Sequence, residues 1–227
     1  MSLNISIECL DCGFQTPFSP KKSDCPRCGS QWREARYDLQ AMRGTLLPKI
    51  SSRPSNLWRY RELLPIRGPK LDLVLGEGGT PLIPAVKLGM MLGNSALFIK
   101  DERQGPTSSF KDRQAAVTIA ALKEAGITEA VIASTGNVAI AYSAFAARAG
   151  IKLWAFLTSL VPAEKMREVA VYGTQVVKVT GTYDQAKAVA AEFARERNLY
   201  LDMGTRSISS VESMKTIAFE IAEQLSG

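Results

Sequence analysis

ALFIKDERQGPTSSFKDRQAAVTIAALKEAGITEAVIASTGNVAIAYSAFAARAGIKLWAFL, residues 96–157, decides the fold. Three short apolar runs, Ala96–Lys100, Ala130–Ala133 and Lys152–Leu157, have the length of buried strands. Between them Phe110–Ala125 reads as a helix, with Phe110, Val117 and Ala121 near one face, and Gly126 ends it. Asn137–Ala149 is an Ala-rich helix stopped by Gly150. Strand, helix, strand at this spacing predicts βαβ units, hence a parallel sheet with helices on both faces.

Outward from this stretch the alternation continues. Upstream, Leu71–Leu75 reads as a strand, Glu77-Gly78-Gly79-Thr80-Pro81-Leu82 as a turn, and Val86–Leu92 as a short helix. Downstream, helices are predicted over Pro162–Tyr172, Tyr183–Arg197 and Val211–Leu225, with Pro162 in the first helical turn. Strands are predicted over Gln175–Val179 and Leu199–Leu201. The whole predicts an α/β body over residues 71–227. In such sheets ligands sit beyond the carboxyl ends of the strands, at the loops that enter helices.

The head of the chain is different. All four cysteines fall in Cys9-x2-Cys12 and Cys25-x2-Cys28. Each pair has the spacing of a knuckle that aims two thiolates at one metal, and four thiolates form a closed tetrahedral site suited to structural zinc. Gly13 and Gly29 follow the two knuckles, where the chain turns around the metal. Rubredoxin-like iron, two disulfides or four free thiols are the alternatives. Residues 1–38 are therefore read as a zinc ribbon. Residues 39–70 are read as a linker, Pro48 to Pro54, followed by a segment in which Trp58, Tyr60, Leu63 and Leu64 pack onto the body.

Composition narrows the chemistry. The 227 residues include no histidine, which removes His-based triads, HExxH metalloproteases and His general bases. Any base is then Lys, Asp, Glu, Tyr or Cys. The net charge of +6 carries no long run of one sign, so it reads as a mildly basic solvated surface and nucleic acid is not an expected partner. Neither a signal peptide nor an apolar stretch of membrane-spanning length is visible, so a cytoplasmic setting is expected.

Two loops carry chemistry. In Asp101–Arg113 a cap at Ser108 or Ser109 would put Lys111 in the first turn of a helix, where the dipole disfavours a cation. A lysine pushed toward its neutral amine is one that can condense with an aldehyde. Read alone, Lys-Asp-Arg is more often a solvated helix face. In Ala133-Ser134-Thr135-Gly136-Asn137, directly after a strand, backbone N–H groups would cradle a carboxylate or phosphate. Read alone, it is an ordinary capped helix start.

Together and in this order, Glu77-Gly-Gly-Thr-Pro-Leu, Pro106-Thr-Ser-Ser-Phe-Lys-Asp-Arg and Ser134-Thr-Gly-Asn resemble the fold-type II pyridoxal-phosphate enzymes, the tryptophan synthase β-like superfamily. Within it, the lysine string and Glu212-Ser-Met-Lys-Thr-Ile-Ala-Phe-Glu are most similar to the threonine synthases, some of which carry a cysteine ribbon in front. The resemblance implies a three-layer body and a lyase converting O-phosphohomoserine and water to threonine and phosphate. It implies that Lys111 holds pyridoxal 5'-phosphate and shuttles protons, and that Asn137 bonds the cofactor's phenolic oxygen. Ser134, Thr135, Gly136 and Asn137 would bind the substrate α-carboxylate, and Thr80 would line the mouth of the site. A serine/threonine dehydratase or a cysteate synthase-like β-replacement enzyme shares these motifs. A non-catalytic module recognising partners through its ribbon is a third reading.

The sequence also departs from the family pattern. Gln114 stands where the family has a small residue, and Val138-Ala139-Ile140 replaces a Thr/Gly-rich continuation. No glycine-rich phosphate loop follows Gly136. The chain is accordingly expected to be the N-terminal part of a longer enzyme. Alone it is expected to be folded, empty of cofactor, inactive, and prone to self-association through an apolar docking face.

Overall fold

The computed structural model of the chain describes residues 5–21, 24–68, 71–134 and 136–226. It opens with a small antiparallel sheet of three strands, β1 (Ile5–Cys9), β2 (Gln15–Pro17) and β3 (Arg33–Tyr37), ordered β2-β1-β3. The knuckles close with bonds from Gly13 N to Cys9 O (2.9 Å) and from Gly29 N to Cys25 O (2.8 Å). Both glycines have φ near +70°, a turn that side chains disfavour.

Two short helices follow, α1 (Leu39–Met42) and α2 (Leu46–Ser51), and then a 3-10 turn over Leu57–Leu63. Leu57, Trp58, Tyr60, Leu64 and Ile66 are buried. Glu77 is also fully buried, and its carboxylate accepts from Trp58 Nε1 (2.5 Å) and Leu75 N (2.8 Å). The carboxylate thus ties this segment to the glycine-rich turn. Residues 71–75 do not form the expected strand: Leu71–Leu73 is a 3-10 turn.

β4 (Leu82–Pro84), α3 (Val86–Leu92) and β5 (Phe98–Lys100) form a unit in which the two strands pair antiparallel. The strand read at 96–100 is therefore real but lies outside the parallel sheet, because its partner is the strand just before α3. Ile83, Val86, Met90, Met91, Leu92 and Ile99 of this unit are exposed.

The body proper is α4 (Lys111–Glu124), β6 (Glu129–Ser134), α5 (Asn137–Ala149), β7 (Lys152–Thr158), α6 (Ala163–Val171), β8 (Gln175–Val179), α7 (Tyr183–Glu196), β9 (Tyr200–Leu201) and α8 (Ile208–Ser226). Pro162 caps α6 rather than lying in its first turn. The strands form a parallel sheet ordered β8-β7-β6-β9. Side chains alternate between two cores, as period-2 strands require. Ala130, Ile132, Leu153, Ala155 and Leu157 face α4 and α5, whereas Val131 and Phe156 join Ala190 and Ala194 of α7. The order of layers is helices, sheet, helix. Among the described residues no helix is long and apolar enough to cross a membrane.

Candidate functional site

Lys111 lies in the first turn of α4, as expected, but the helix begins at Lys111 itself and Phe110, not a serine, stands at its cap. Ser108 takes φ +56°, and the Ser109 hydroxyl is buried without a hydrogen-bond partner. Thr107 closes the turn instead, donating from its N–H (3.0 Å) and its hydroxyl to Asp112. A strained residue and an orphaned hydroxyl beside a lysine are features that stable helix starts avoid.

Lys111 opens into a cavity of about 570 Å³, at the carboxyl ends of β6 and β9. Gln114, Ala133, Val138, Tyr183, Lys187 and Asp202 share its wall. Burial lowers the proton affinity of Lys111, and the charge of Asp202 opposes it. Asp202 is itself raised, chiefly by burial, although Gly204 N (2.9 Å) and Tyr142 Oη (2.9 Å) donate to it.

Ala133 and Val138, on either side of the second predicted loop, share the cavity with Lys111, whereas Ser134, Gly136 and Asn137 are not among its lining residues. Ser134 is buried and turned inward, its hydroxyl accepting from Gly136 N and Ala139 N, both at 3.2 Å. The N–H groups of Asn137 and Val138 have no partner among the described residues, which leaves them able to hold an anion. Asn137 Oδ1 accepts from Lys165 Nζ at 3.4 Å. Thr135 lies outside the described residues. Thr80 does not line the cavity. Its hydroxyl donates to Glu102 (2.6 Å) and accepts from Arg113 (3.2 Å).

That pair belongs to a cluster the sequence reading missed. Arg113 is only 1% exposed, so the Lys-Asp-Arg string is no solvated face. Its guanidinium donates to Glu220 (2.6 and 2.8 Å), Glu102 (2.8 Å) and Thr216 (3.1 Å). Lys100 adds a 2.8 Å ion pair to Glu220. Burial alone would raise Glu220, but Arg113, Lys100 and Gly79 N hold it down to about 2. The signal was present in α8: Ser209, Ser213, Thr216 and Glu220 form a polar stripe at helical spacing, and all are buried.

In the head, Cys9 Sγ lies 3.6 Å from Cys28 Sγ, and Cys12 Sγ 3.7 Å from Cys25 Sγ. All four thiols lie within 4.8 Å of one another. A disulfide needs sulfurs about 2.05 Å apart. A tetrahedron with metal–sulfur bonds of about 2.3 Å has edges of about 3.8 Å, which these distances approach. Burial opposes a thiolate at Cys9, yet the N–H groups of Cys12 and Asp11 bring it to about 6. Ser30 N favours the Cys28 thiolate, but the other thiols and burial push it up to about 12. Four such thiols ionise together only around a cation.

Residues 73–227 match the pyridoxal-phosphate dependent enzyme family. The chain belongs to that family. Among similar proteins of this class, the threonine synthase of Methanocaldococcus jannaschii is 34% identical over 219 residues, covering 96% of this chain and 53% of that protein. The threonine synthase of Methanosarcina acetivorans is 30% identical with the same coverage. The chain thus spans about half the length of these relatives. Of the solved structures, maize serine racemase aligns at 27% identity with a TM-score of 0.59, over 64% of this chain and 44% of that one. The threonine deaminase isoform 2 of Solanum lycopersicum aligns at 26% identity with a TM-score of 0.58, over 64% and 40%. The chain places a partly buried lysine at a cavity, just after a Ser109 hydroxyl that has no partner, and carries N–H groups at Asn137 and Val138 that are unpaired among the described residues.

Proposed function

We propose that Lys111 is the cofactor-holding amine of a threonine synthase-type lyase acting on O-phosphohomoserine. The observation that carries this reading is the position of Lys111, a partly buried amine sharing one cavity with Ala133 and Val138, the residues that flank the second loop. Pyridoxal 5'-phosphate, when bound, supplies the electron sink for carbanion chemistry. The residues of the chain do the rest. Burial favours the neutral Lys111 amine, the form that attacks an aldehyde and afterwards takes and returns a substrate proton at Nζ. The open N–H groups at the start of α5, with Thr135, Gly136 and Asn137, hold the substrate carboxylate, and the Asn137 amide meets the cofactor's phenolic oxygen. Ser134 serves from behind, holding the turn in shape. Thr80, tied to Glu102 and Arg113 away from the cavity, is given no part in binding. In the head, Cys9, Cys12, Cys25 and Cys28 hold zinc in a structural role, in a cytoplasmic setting that keeps thiols reduced.

Borohydride reduction of the chain in millimolar pyridoxal phosphate, followed by peptide mapping, tests the lysine. Label on Lys111, lost in Lys111→Ala and in Lys111→Arg, is expected. Label concentrated on Lys100, Lys187 or Lys215 would refute the assignment. A dehydratase reading draws support from the 26% identity to threonine deaminase. Phosphate and threonine released from O-phosphohomoserine favour the first reading, and 2-oxobutanoate from threonine favours the second.

A further inference from the structure

Gln114, one turn after Lys111 on α4, is the departure from the family pattern that the reading above leaves unused. It is 5% exposed and lines the same cavity. Its Oε1 accepts from Lys111 Nζ at 3.4 Å, and its Nε2 donates to Tyr142 Oη at 3.3 Å. Tyr142, buried on α5, donates its only hydroxyl proton to Asp202 Oδ2 at 2.9 Å. Every bond in this chain therefore points the same way, from the amine to the carboxylate. Aligned hydrogen bonds polarise one another, so the far charge is felt at the near end.

We propose that Gln114 is a positioning residue for Lys111, holding its amine against the cavity wall and coupling it through Tyr142 to the carboxylate of Asp202. Asp202 is anchored independently of the lysine, by Gly204 N (2.9 Å), by Tyr200 Oη (3.3 Å) and by Ser207 Oγ (3.5 Å). The fixed carboxylate and the fixed tyrosine make the amide the one adjustable link. A small residue at 114 would leave Lys111 without this tether. The other groups on the cavity wall that carry or acquire charge are Lys187 and Tyr183 of α7 and Arg206 beyond β9. Burial opposes protonation of Lys111, and the link to Asp202 works the other way. The consequence for catalysis rests on Lys111 being the cofactor-holding amine. The coupling itself does not depend on it.

The test reads the amine directly. The cofactor-free chain is labelled with trace acetic anhydride between pH 6 and 10, and Lys111 acetylation is measured by mass spectrometry relative to the exposed Lys87. Cutting the link leaves fewer Lys111 amines protonated at a given pH. In Tyr142→Phe the relative rate at pH 7 should rise about three- to tenfold, the worth of one hydrogen bond. Gln114→Met, which keeps the volume, should do the same, and Gln114→Glu should slow labelling by placing a charge beside the amine. In the Gln114→Met background, Tyr142→Phe should have no further effect. An unchanged Lys111 profile in folded Tyr142→Phe, or an equal effect of Tyr142→Phe with and without Gln114, overturns the proposal. If Asp202→Asn folds, it should raise Lys111 labelling at least as much as Tyr142→Phe, because it removes the direct charge as well as the link; if it does not fold, the tyrosine and glutamine variants carry the test. Failure of borohydride trapping at Lys111 would sink the cofactor reading and leave these rates interpretable.

Discussion

The ribbon and the body solve the same problem with different physics. Among described residues 5–37, the buried side chains of the core are Ile7, Cys9 and Cys25, so two of the three are thiols. The body buries a continuous apolar core from Leu57 to Val169 and a second one under α7. A head of this size cannot remove enough apolar surface from water to offset its chain entropy. In the head four thiols lie within 4.8 Å, where the proposed zinc would supply the order that packing supplies in the body. On the proposal that the thiols hold zinc, one region is conditional on a ligand and the other is not.

The sharpest way to break that comparison is to remove the metal. Zinc held by four thiolates is worth on the order of 10–16 kcal/mol in small modules, more than this head's own core supplies. Protein purified under reducing conditions should carry one zinc per chain. A strong chelator should abolish hydrogen-exchange protection in β1 to β3 while the helical circular dichroism of the body persists. Absence of zinc, or a protected ribbon after chelation, would show that the head is a packed domain after all.

A second test asks whether the body has its own conditional element. Lys111 and Arg113 stand two residues apart on α4, but Lys111 faces a cavity and Arg113 is locked between Glu220 and Glu102. Arg113→Met should cost about 3 kcal/mol in urea unfolding, because it takes the main partner from the buried Glu220 carboxylate and a second from half-buried Glu102. Lys111→Met should cost little. Because Glu220 is held at about 2 when folded, its ionised form stabilises the native state above the ordinary carboxylate range. That contribution should fade as pH falls from about 4.5 toward 2. Asp202, raised by burial, works in the opposite sense, so the diagnostic is the difference between wild type and Arg113→Met. That difference should shrink in acid. A constant difference from pH 7 to pH 3 would mean that the cluster contributes packing and no charge pairing.

The same contrast explains what the sequence made legible. Helices and strands from α4 to α8 follow from periodicity and from the Gly and Pro residues that bound them, since both signals are local. The ribbon follows from spacing, because metal ligation fixes distances between neighbours. Pairing between distant segments is not local. β5 joins β4 rather than the parallel sheet, and nothing in Phe98–Lys100 says so. Leu71–Leu75 has the composition of a strand, yet its first residues turn as a 3-10 helix and pair with no strand among the described residues. Arg113 looks like any surface arginine until α8 brings Glu220 to it from 107 residues away. Asp202 is a lone acid after a two-residue strand, and its meaning arises only from the cavity it faces.

The smallest effect belongs to the seam between the two regions. Tyr37, the last residue of β3, donates to Glu212 of α8 at 2.6 Å, and Lys215 both pairs with Glu212 and sits 3.9 Å above the Tyr37 ring. Arg206 reaches Gln31 at 2.6 Å across the same seam. A hydrogen bond to a carboxylate contributes about 1.5–3 kcal/mol when nothing replaces it. Here Lys215 stays behind to hold the charge, and the Phe ring keeps the cation contact, so Tyr37→Phe should cost only about 1 kcal/mol. The loss should appear as faster exchange of β3 amides in the metal-loaded protein, with α4 and β6 unchanged. If the seam is a true interface, Glu212→Gln, which keeps an acceptor, should show a smaller increase than Tyr37→Phe. If neither variant alters β3 exchange, the two regions touch without stabilising each other, and the ribbon is joined to the body by its chain alone. If α4 loosens together with β3, the opposite holds: metal in the head and order around Lys111 are then parts of one cooperative unit, and the division between a ligand-built region and a packing-built one fails.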